Sequence, residues 1–344
     1  MSSSISSSDW RRFFRLAVYV AVAITGVIYA FVVTVDPFNA LPLSPPLDRV
    51  PVTSNQRFDY PAVARSSQFD SAVFGTSTSR LLRPVALDVE FHARFANLAM
   101  NDATPYEQTR LMRVFLRAHP AAKFLVLGLD LRWCETDAIP RFTPRPFPEW
   151  MYRDTTWRGY AEMLNMFAIQ EAGKEFGVLV GIKNPDQGRD GYTIFVPPDA
   201  EYDRARAAMH LREDGPSVPL GDREGPPATW QFSAFDELRP LLTSGTPTIL
   251  YFVPYNRVRL PPPDHPGAAV WTECKRRAIN LARAAGRVTV VDFMLHSPIT
   301  DDDDLYWDAQ HYRVAAADRV AADLAGAARG EASPDYQVLY APGR

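Results

Sequence analysis

The chain has 344 residues, 47% of them apolar, and a formal net charge of −3 from 37 basic and 40 acidic side chains. That apolar share excludes a disordered chain, and the length suffices for one large domain with an insertion or for two domains. The near balance of charge, with no basic run after the first residues, leaves no nucleic-acid-binding surface to argue for.

Met1 to Ser8 is polar and serine-rich, Arg11, Arg12 and Arg15 follow, and Leu16 to Val35 carries no charge. At ~1.5 Å per residue this run reaches ~30 Å, the thickness of a bilayer's hydrocarbon core. The arginines precede it and Asp36 follows it. The positive-inside rule therefore predicts a cytoplasmic segment at 1–15, a transmembrane anchor in the lipid bilayer at 16–35, and an extracytoplasmic remainder. A cleavable signal peptide would have a shorter apolar region ending in small residues, and a buried core helix would keep a polar face. Residues 36–69 contain Pro37, Pro42, Pro45, Pro46, Pro51 and Pro61 and read as a linker, because so many prolines disfavour helix interiors and central strands.

Ser71-Ala72-Val73-Phe74 is a short apolar run that stops at Gly75 ahead of Thr76-Ser77-Thr78-Ser79-Arg80. It reads as a buried strand ending in a hydroxyl-rich turn. Spaced apolar positions from Leu81 to Phe95 predict a helix with Ser77 at or just before its N-terminus, where unpaired N–H groups stabilise a developing oxyanion. Ser77 is thus a candidate nucleophile and Ser79 a second, although Ser and Thr are also the preferred N-caps. Arg80 is expected to pair with a carboxylate, with a substrate anion as the other option. Phe95–Met100 reads as a second strand, and Thr104-Pro105-Tyr106-Glu107 is a capping box opening a helix to about Ala118. Lys123 to Leu131 is a nearly continuous apolar run, as expected of a strand covered on both faces.

Residues 132–246 break the alternation and are predicted to form an inserted cap. Its first part interleaves Arg141, Arg145, Trp150, Tyr152, Arg153, Trp157, Arg158 and Tyr160, side chains able to stack on sugar rings and pair with anions, or simply to pack the insertion. Pro247–Pro254 and Arg287–Met294 read as two further strands, separated by a helix from about Ala268 that stops at Gly286. The whole predicts an α/β fold with a parallel five-stranded sheet and helices on both faces, built from residues 70–131 and 247–330 and followed by a tail at 331–344. Ligands then bind beyond the carboxyl ends of the strands, where Gly75, Asp130 and Tyr255-Asn256 emerge. Cys134 and Cys274 form a disulfide if their backbones come close in an oxidising compartment, and are otherwise two buried thiols. No Cys or His cluster has metal-ligand spacing, and Asp301 to Asp304 lacks the glycine and glutamate of an EF-hand loop, so neither metal nor cofactor is expected.

Leu305-Tyr306-Trp307-Asp308-Ala309-Gln310-His311-Tyr312 precedes an alanine-rich helical segment ending near Arg329. Asp-x-x-His brings carboxylate and imidazole to one side, as a general base for serine requires, although Asp308 and His311 also suit a helix cap. Read with Gly75-Thr76-Ser77, this pair resembles the SGNH (GDSL-like) hydrolase superfamily, in particular its membrane-anchored members that handle acyl groups on cell-envelope polymers. The resemblance implies a three-layer, flavodoxin-like fold with Ser77 as nucleophile, His311 as general base and Asp308 as its orienting partner. Two blocks depart from the family's pattern. Asn97 to Thr104 has no glycine where the second block supplies one, and Gly128-Leu129-Asp130-Leu131 stands where the third reads Gly-x-Asn-Asp. An ionised aspartate cannot donate a hydrogen bond, so Asn101, Asp130 and Asn256 are the residues to watch for oxyanion or substrate contacts. The expected function is a periplasmic serine esterase or O-acyltransferase of a bacterial envelope carbohydrate or polysaccharide, acetyl being the expected acyl group, with a membrane partner that delivers it. The alternative is a catalytically inactive binding or scaffold protein that keeps the fold.

Overall fold

The computed structural model of the protein describes residues 7–136, 140–221 and 223–343. Met1–Ser6 of the polar leader, residues 137–139 and 222 of the predicted insertion and Arg344 lie outside them. In chain order the elements are α1 (Ser7–Val35), α2 (Gln56–Arg65), β1 (Ser71–Phe74), α3 (Ser77–Arg80), α4 (Pro84–Phe91), β2 (Phe95–Asn97), α5 (Pro105–Ala118) and β3 (Phe124–Leu129). There follow α6 (Gly159–Glu162), α7 (Met166–Leu179), α8 (Arg204–Glu213), α9 (Ala234–Leu242), β4 (Thr248–Phe252), α10 (Pro266–Ala285), β5 (Val288–Asp292), α11 (Val314–Arg329) and β6 (Gln337–Tyr340). They fall into two compact units.

One unit holds the chain up to Thr53 together with Glu149–Asp186. Its α1 is long and apolar enough to cross a membrane. Side chains such as Leu16, Tyr19 and Val22 are exposed along it, which water would penalise and lipid would not. Helix α7 packs on α1, with the rings of Phe31 and Phe176 edge to face. The Arg49 guanidinium donates to the carbonyl of Val35 at 2.6 Å and so closes the carboxyl end of α1. The first half of the predicted linker therefore folds back on the helix it follows.

The second unit holds Ser54–Pro148 and Gln187–Arg344 and carries the sheet. Its strand order is β2-β1-β3-β4-β5-β6, with every pair parallel except β5–β6. All four residues of β1 and all five of β4 are buried, which accounts for their unbroken apolar sequences. The chain runs from β1 outward to β2 and then back across β1 to β3. Right-handed crossovers put α4 and α5 on opposite faces for that reason. Helix α11 packs with α4, and α5 packs with α2 and α9, which in turn meets α10. The reversal leaves a crevice at the carboxyl end of β1, the usual ligand position in an open parallel sheet.

Three expectations are corrected. The sheet has six strands, because Gln337–Tyr340 of the predicted tail adds an antiparallel edge strand. Residues 56–65 of the predicted linker form a helix despite Pro61, capped by the Asn55 side chain and packed on α5. The predicted helix from Leu81 to Phe95 is instead the single turn α3, a break, and then α4 with Pro84 in its first turn. Elsewhere the reading agrees. The Thr104–Glu107 capping box is present with both of its hydrogen bonds, and α10 ends at Gly286 with φ 83°. Cys134, just after β3, is joined to Cys274 of α10 in a disulfide that spans 140 residues of sequence. The apolar α1 and this disulfide are together consistent with an extracytoplasmic location.

Candidate active site

The turn after β1 is built to present one hydroxyl and bury the next. A Cβ at Gly75 would lie 2.2 Å from Ser79 Oγ, and one at Gly128 only 2.1 Å from it, so both glycines are needed for Ser79 to fit. Ser79 is fully buried and its hydroxyl accepts from Tyr251 at 2.9 Å. Nothing outside the core reaches it, which removes the second nucleophile candidate. Ser77 points the other way and is partly exposed. Below it, the Asn97 amide donates to the carbonyls of Ser79, Arg80 and Leu82 and so fixes the α3 turn from the end of β2.

The imidazole comes from a loop more than two hundred residues away. Tyr306 and Tyr312 pair as an antiparallel bridge, and the Trp307 N–H donates to the His311 carbonyl at 2.9 Å, which closes a narrow loop with Asp308 and His311 at its tip. Two bonds tether this loop to the sheet edge. The Tyr312 hydroxyl donates to the Thr78 carbonyl at 2.8 Å, and the Asn256 N–H donates to the Ala309 carbonyl at 3.0 Å. Ser77 Oγ then lies 2.8 Å from His311 Nε2, and His311 Nδ1 lies 2.7 and 3.0 Å from the two Asp308 carboxylate oxygens. This is a serine–imidazole–carboxylate relay. Burial pushes the Asp308 carboxyl upward, but hydrogen bonds from the His311 ring and from the backbone of Gln310 and His311 outweigh it and hold the group below its ordinary value. Asp308 is thereby ionised, and its charge fixes the proton on Nδ1 and leaves Nε2 as acceptor for the Ser77 hydroxyl.

The three residues expected at the oxyanion or substrate side have different fates. Asn101 is at the site's edge: Met100 N–H pairs with the Gly75 carbonyl at 3.0 Å, which carries Asn101 alongside the nucleophile turn. Its neighbour Asp102 takes φ 52°, a left-handed backbone that favours glycine. Asp130 does not face the nucleophile as a donor. It is 3% exposed, accepts from the Thr76 hydroxyl and from the Arg132 N–H, and locks the end of β3 to the residue before Ser77. Burial pushes its carboxyl up to about 6 against those two hydrogen bonds. Asn256 is spent on structure, with its oxygen accepting from Val258 N–H and its amide donating to Asp303.

Among the described residues Arg80 pairs with no carboxylate, contrary to expectation. Its guanidinium donates to Asn101 Oδ1 at 2.8 Å and lies over the Phe195 ring, which meets the His311 ring edge to face at 5.4 Å. Phe195 and Tyr312 are the site residues that the sequence reading missed, since a lone Phe in a glycine-rich segment and a Tyr beside His311 carry no motif. A cleft of about 450 Å³ opens on the His311 side, lined among others by His210, Glu213, Arg259, Trp307 and Asp308. The residues of the predicted aromatic platform are divided between the two units. Arg141 stacks on Tyr106 within the sheet unit, whereas Trp150, Tyr152, Trp157 and Tyr160 belong to the other. Among the described residues no group of His, Cys, Asp or Glu has the arrangement of a metal site. No protein-family model matches the chain, and no curated protein matches it.

Proposed function

We propose that the protein is an SGNH-like serine esterase or O-acyltransferase, anchored by α1 in a bacterial cytoplasmic membrane with its sheet unit in the periplasm. The observation that carries this reading is the continuous hydrogen-bonded relay from Ser77 through His311 to Asp308 at the switch point of the sheet. The parallel strand order 2-1-3-4-5 supports the flavodoxin-like arrangement that the resemblance implies. Ser77 Oγ attacks the acyl carbonyl while His311 Nε2 takes its proton. The imidazolium, balanced by Asp308, returns that proton to the leaving oxygen. Water or a carbohydrate hydroxyl then attacks the acyl-serine with His311 again acting as base. The membrane anchor and the carbohydrate-handling members of the resembled family favour an envelope polysaccharide as donor or acceptor, with acetyl as the acyl group.

The test uses the full chain in detergent with a fluorophosphonate probe and an aryl acetate. Ser77→Ala is expected to abolish both labelling and turnover. Absence of any Ser77-dependent labelling in the wild type would refute the reading. A second reading, a catalytically silent envelope-polysaccharide binding protein, is favoured by Asp130 standing where the family carries a hydrogen-bond-donating asparagine. The same labelling decides between them, because phosphonylation of Ser77 needs no acyl acceptor.

A further inference from the structure

Asn101 is held from every side by groups that leave one part of it free. Arg57 donates with both terminal nitrogens to its carbonyl at 3.2 Å, and Gln56 Oε1 accepts from its N–H at 3.3 Å. Arg57 is itself fixed by a fully buried ion pair with Glu107. The side-chain oxygen is taken by Arg80, so the amide cannot turn over, and among the described residues the NH2 group has no partner. Arg80 is an unusual group to find there. It is 3% exposed and, among the described residues, has no carboxylate within 4 Å, and its neighbours Asn101, Tyr60 and Phe195 are neutral. A buried guanidinium is ordinarily paired, because desolvating a lone charge is expensive. Here it lies in the one-turn helix begun by Ser77, beside the point where acyl transfer builds negative charge on oxygen.

We infer that Arg80 is a positioning residue: it clamps and polarises the Asn101 amide so that its NH2 group donates to the oxyanion of the tetrahedral intermediate. The inference rests on the acyl-transfer reading and supplies the donor that Asp130 cannot. The negative charge that would compensate the buried guanidinium is then delivered by the reaction itself. Preorganised donors of this kind act where charge develops and need no rearrangement during the step.

The test follows the rate at which a fluorophosphonate labels Ser77 in the full chain in detergent. Ser77 Oγ attacks phosphorus, its proton passes to His311, fluoride leaves, and the phosphoryl oxygen occupies the oxyanion position. Removing one oxyanion donor costs about 10²–10³ in rate elsewhere, so Asn101→Ala is expected to label about 10²-fold more slowly. Asn101→Asp, which keeps the contact with Arg80 but loses the donor, is expected to be as slow as Asn101→Ala. Arg80→Met is expected to label at least about 10-fold more slowly on its own and to have less than about a twofold further effect in the Asn101→Ala background, since coupled residues are non-additive. Should Arg80→Met lose cooperative unfolding, Arg80→Lys replaces it, and a several-fold slowing that disappears in the Asn101→Ala background is expected. Wild-type labelling that persists undiminished in the Asn101 or Arg80 variants overturns this inference alone, as does full additivity of the two sites. A wild type without Ser77-dependent labelling overturns the acyl-transfer reading, and this one with it.

Discussion

Asp130 is a buried carboxylate and Asp308 a half-buried one, and their environments push them in opposite directions. Asp308 gains an imidazole and two backbone N–H groups and is held low, whereas Asp130 gains a hydroxyl and one N–H and is pushed up to about 6. Asp130 in the unfolded chain titrates near its ordinary value of about 3.9. Its folded-state value is higher, so its stabilising contribution is complete below about pH 4 and is lost as the pH rises through about 6. Asp130→Asn is therefore expected to raise the unfolding free energy at pH 7.5 by of order 1–3 kcal/mol, and the thermal midpoint with it, and to leave both unchanged at pH 4. Thermal unfolding at the two pH values checks this, and an equal effect at both would show that Asp130 does not carry the titration. For Asp308 the sign is reversed, with stability present above about pH 4 and lost as the pH falls through its lowered value. Asp308→Asn is expected to slow Ser77 labelling by about 10²–10⁴, because an amide neither fixes the imidazole tautomer nor balances its charge. At this scale the sequence was legible for Ser77, Asp308 and His311, whose spacing to Gly75 or to each other is local. It misled on Arg80, which was expected to meet a carboxylate and meets the Asn101 amide instead, because only the fold decides between the two.

At the scale of elements, two tethers turn separate segments into one site. The loop carrying His311 is tied to the nucleophile turn through the Tyr312 hydroxyl and the Thr78 carbonyl. Tyr312→Phe removes the shorter of the two hydrogen bonds to that carbonyl and leaves only the Leu81 N–H at 3.4 Å, so a loss of about 0.5–1.5 kcal/mol in stability is expected, with slower Ser77 labelling as the readout specific to the site. Helix α2 is the second tether, and the many prolines of residues 36–69, Pro61 among them, point to a linker there instead. What overrides that propensity is tertiary: Arg57 reaches Glu107 with both side chains at 0% exposure. Breaking the pair by Glu107→Gln is expected to cost about 3–5 kcal/mol in chemical unfolding, which a denaturant titration measures. No local pattern marks such a pair, since its members lie 50 residues apart. The capping box, the strand-ending Gly75 and the stop at Gly286 were readable because each acts within a few residues of itself.

For the whole molecule, the decisive features are the apolar α1 and the closed loop of 140 residues between Cys134 and Cys274. Both cysteines are fully buried, so maleimide is expected to modify the unfolded chain only after reduction. Cys134→Ser with Cys274→Ser is expected to lower stability by about 2–5 kcal/mol in unfolding measured without reductant. The full chain is expected to stay with membranes through alkaline carbonate extraction, as an apolar span of this length requires. The sequence by itself determined the membrane-length run, the alternation that makes an α/β sheet, and the two halves of the relay. These are set by hydrophobic periodicity and short-range backbone chemistry, which one stretch of chain carries alone. Only the tertiary structure decided that the tail supplies a sixth strand, that the cysteines pair, that Ser77 rather than Ser79 faces outward, and that Arg80 grips Asn101. Each of those depends on which distant groups share a buried volume, and burial is a property of the packed sheet that no local segment contains.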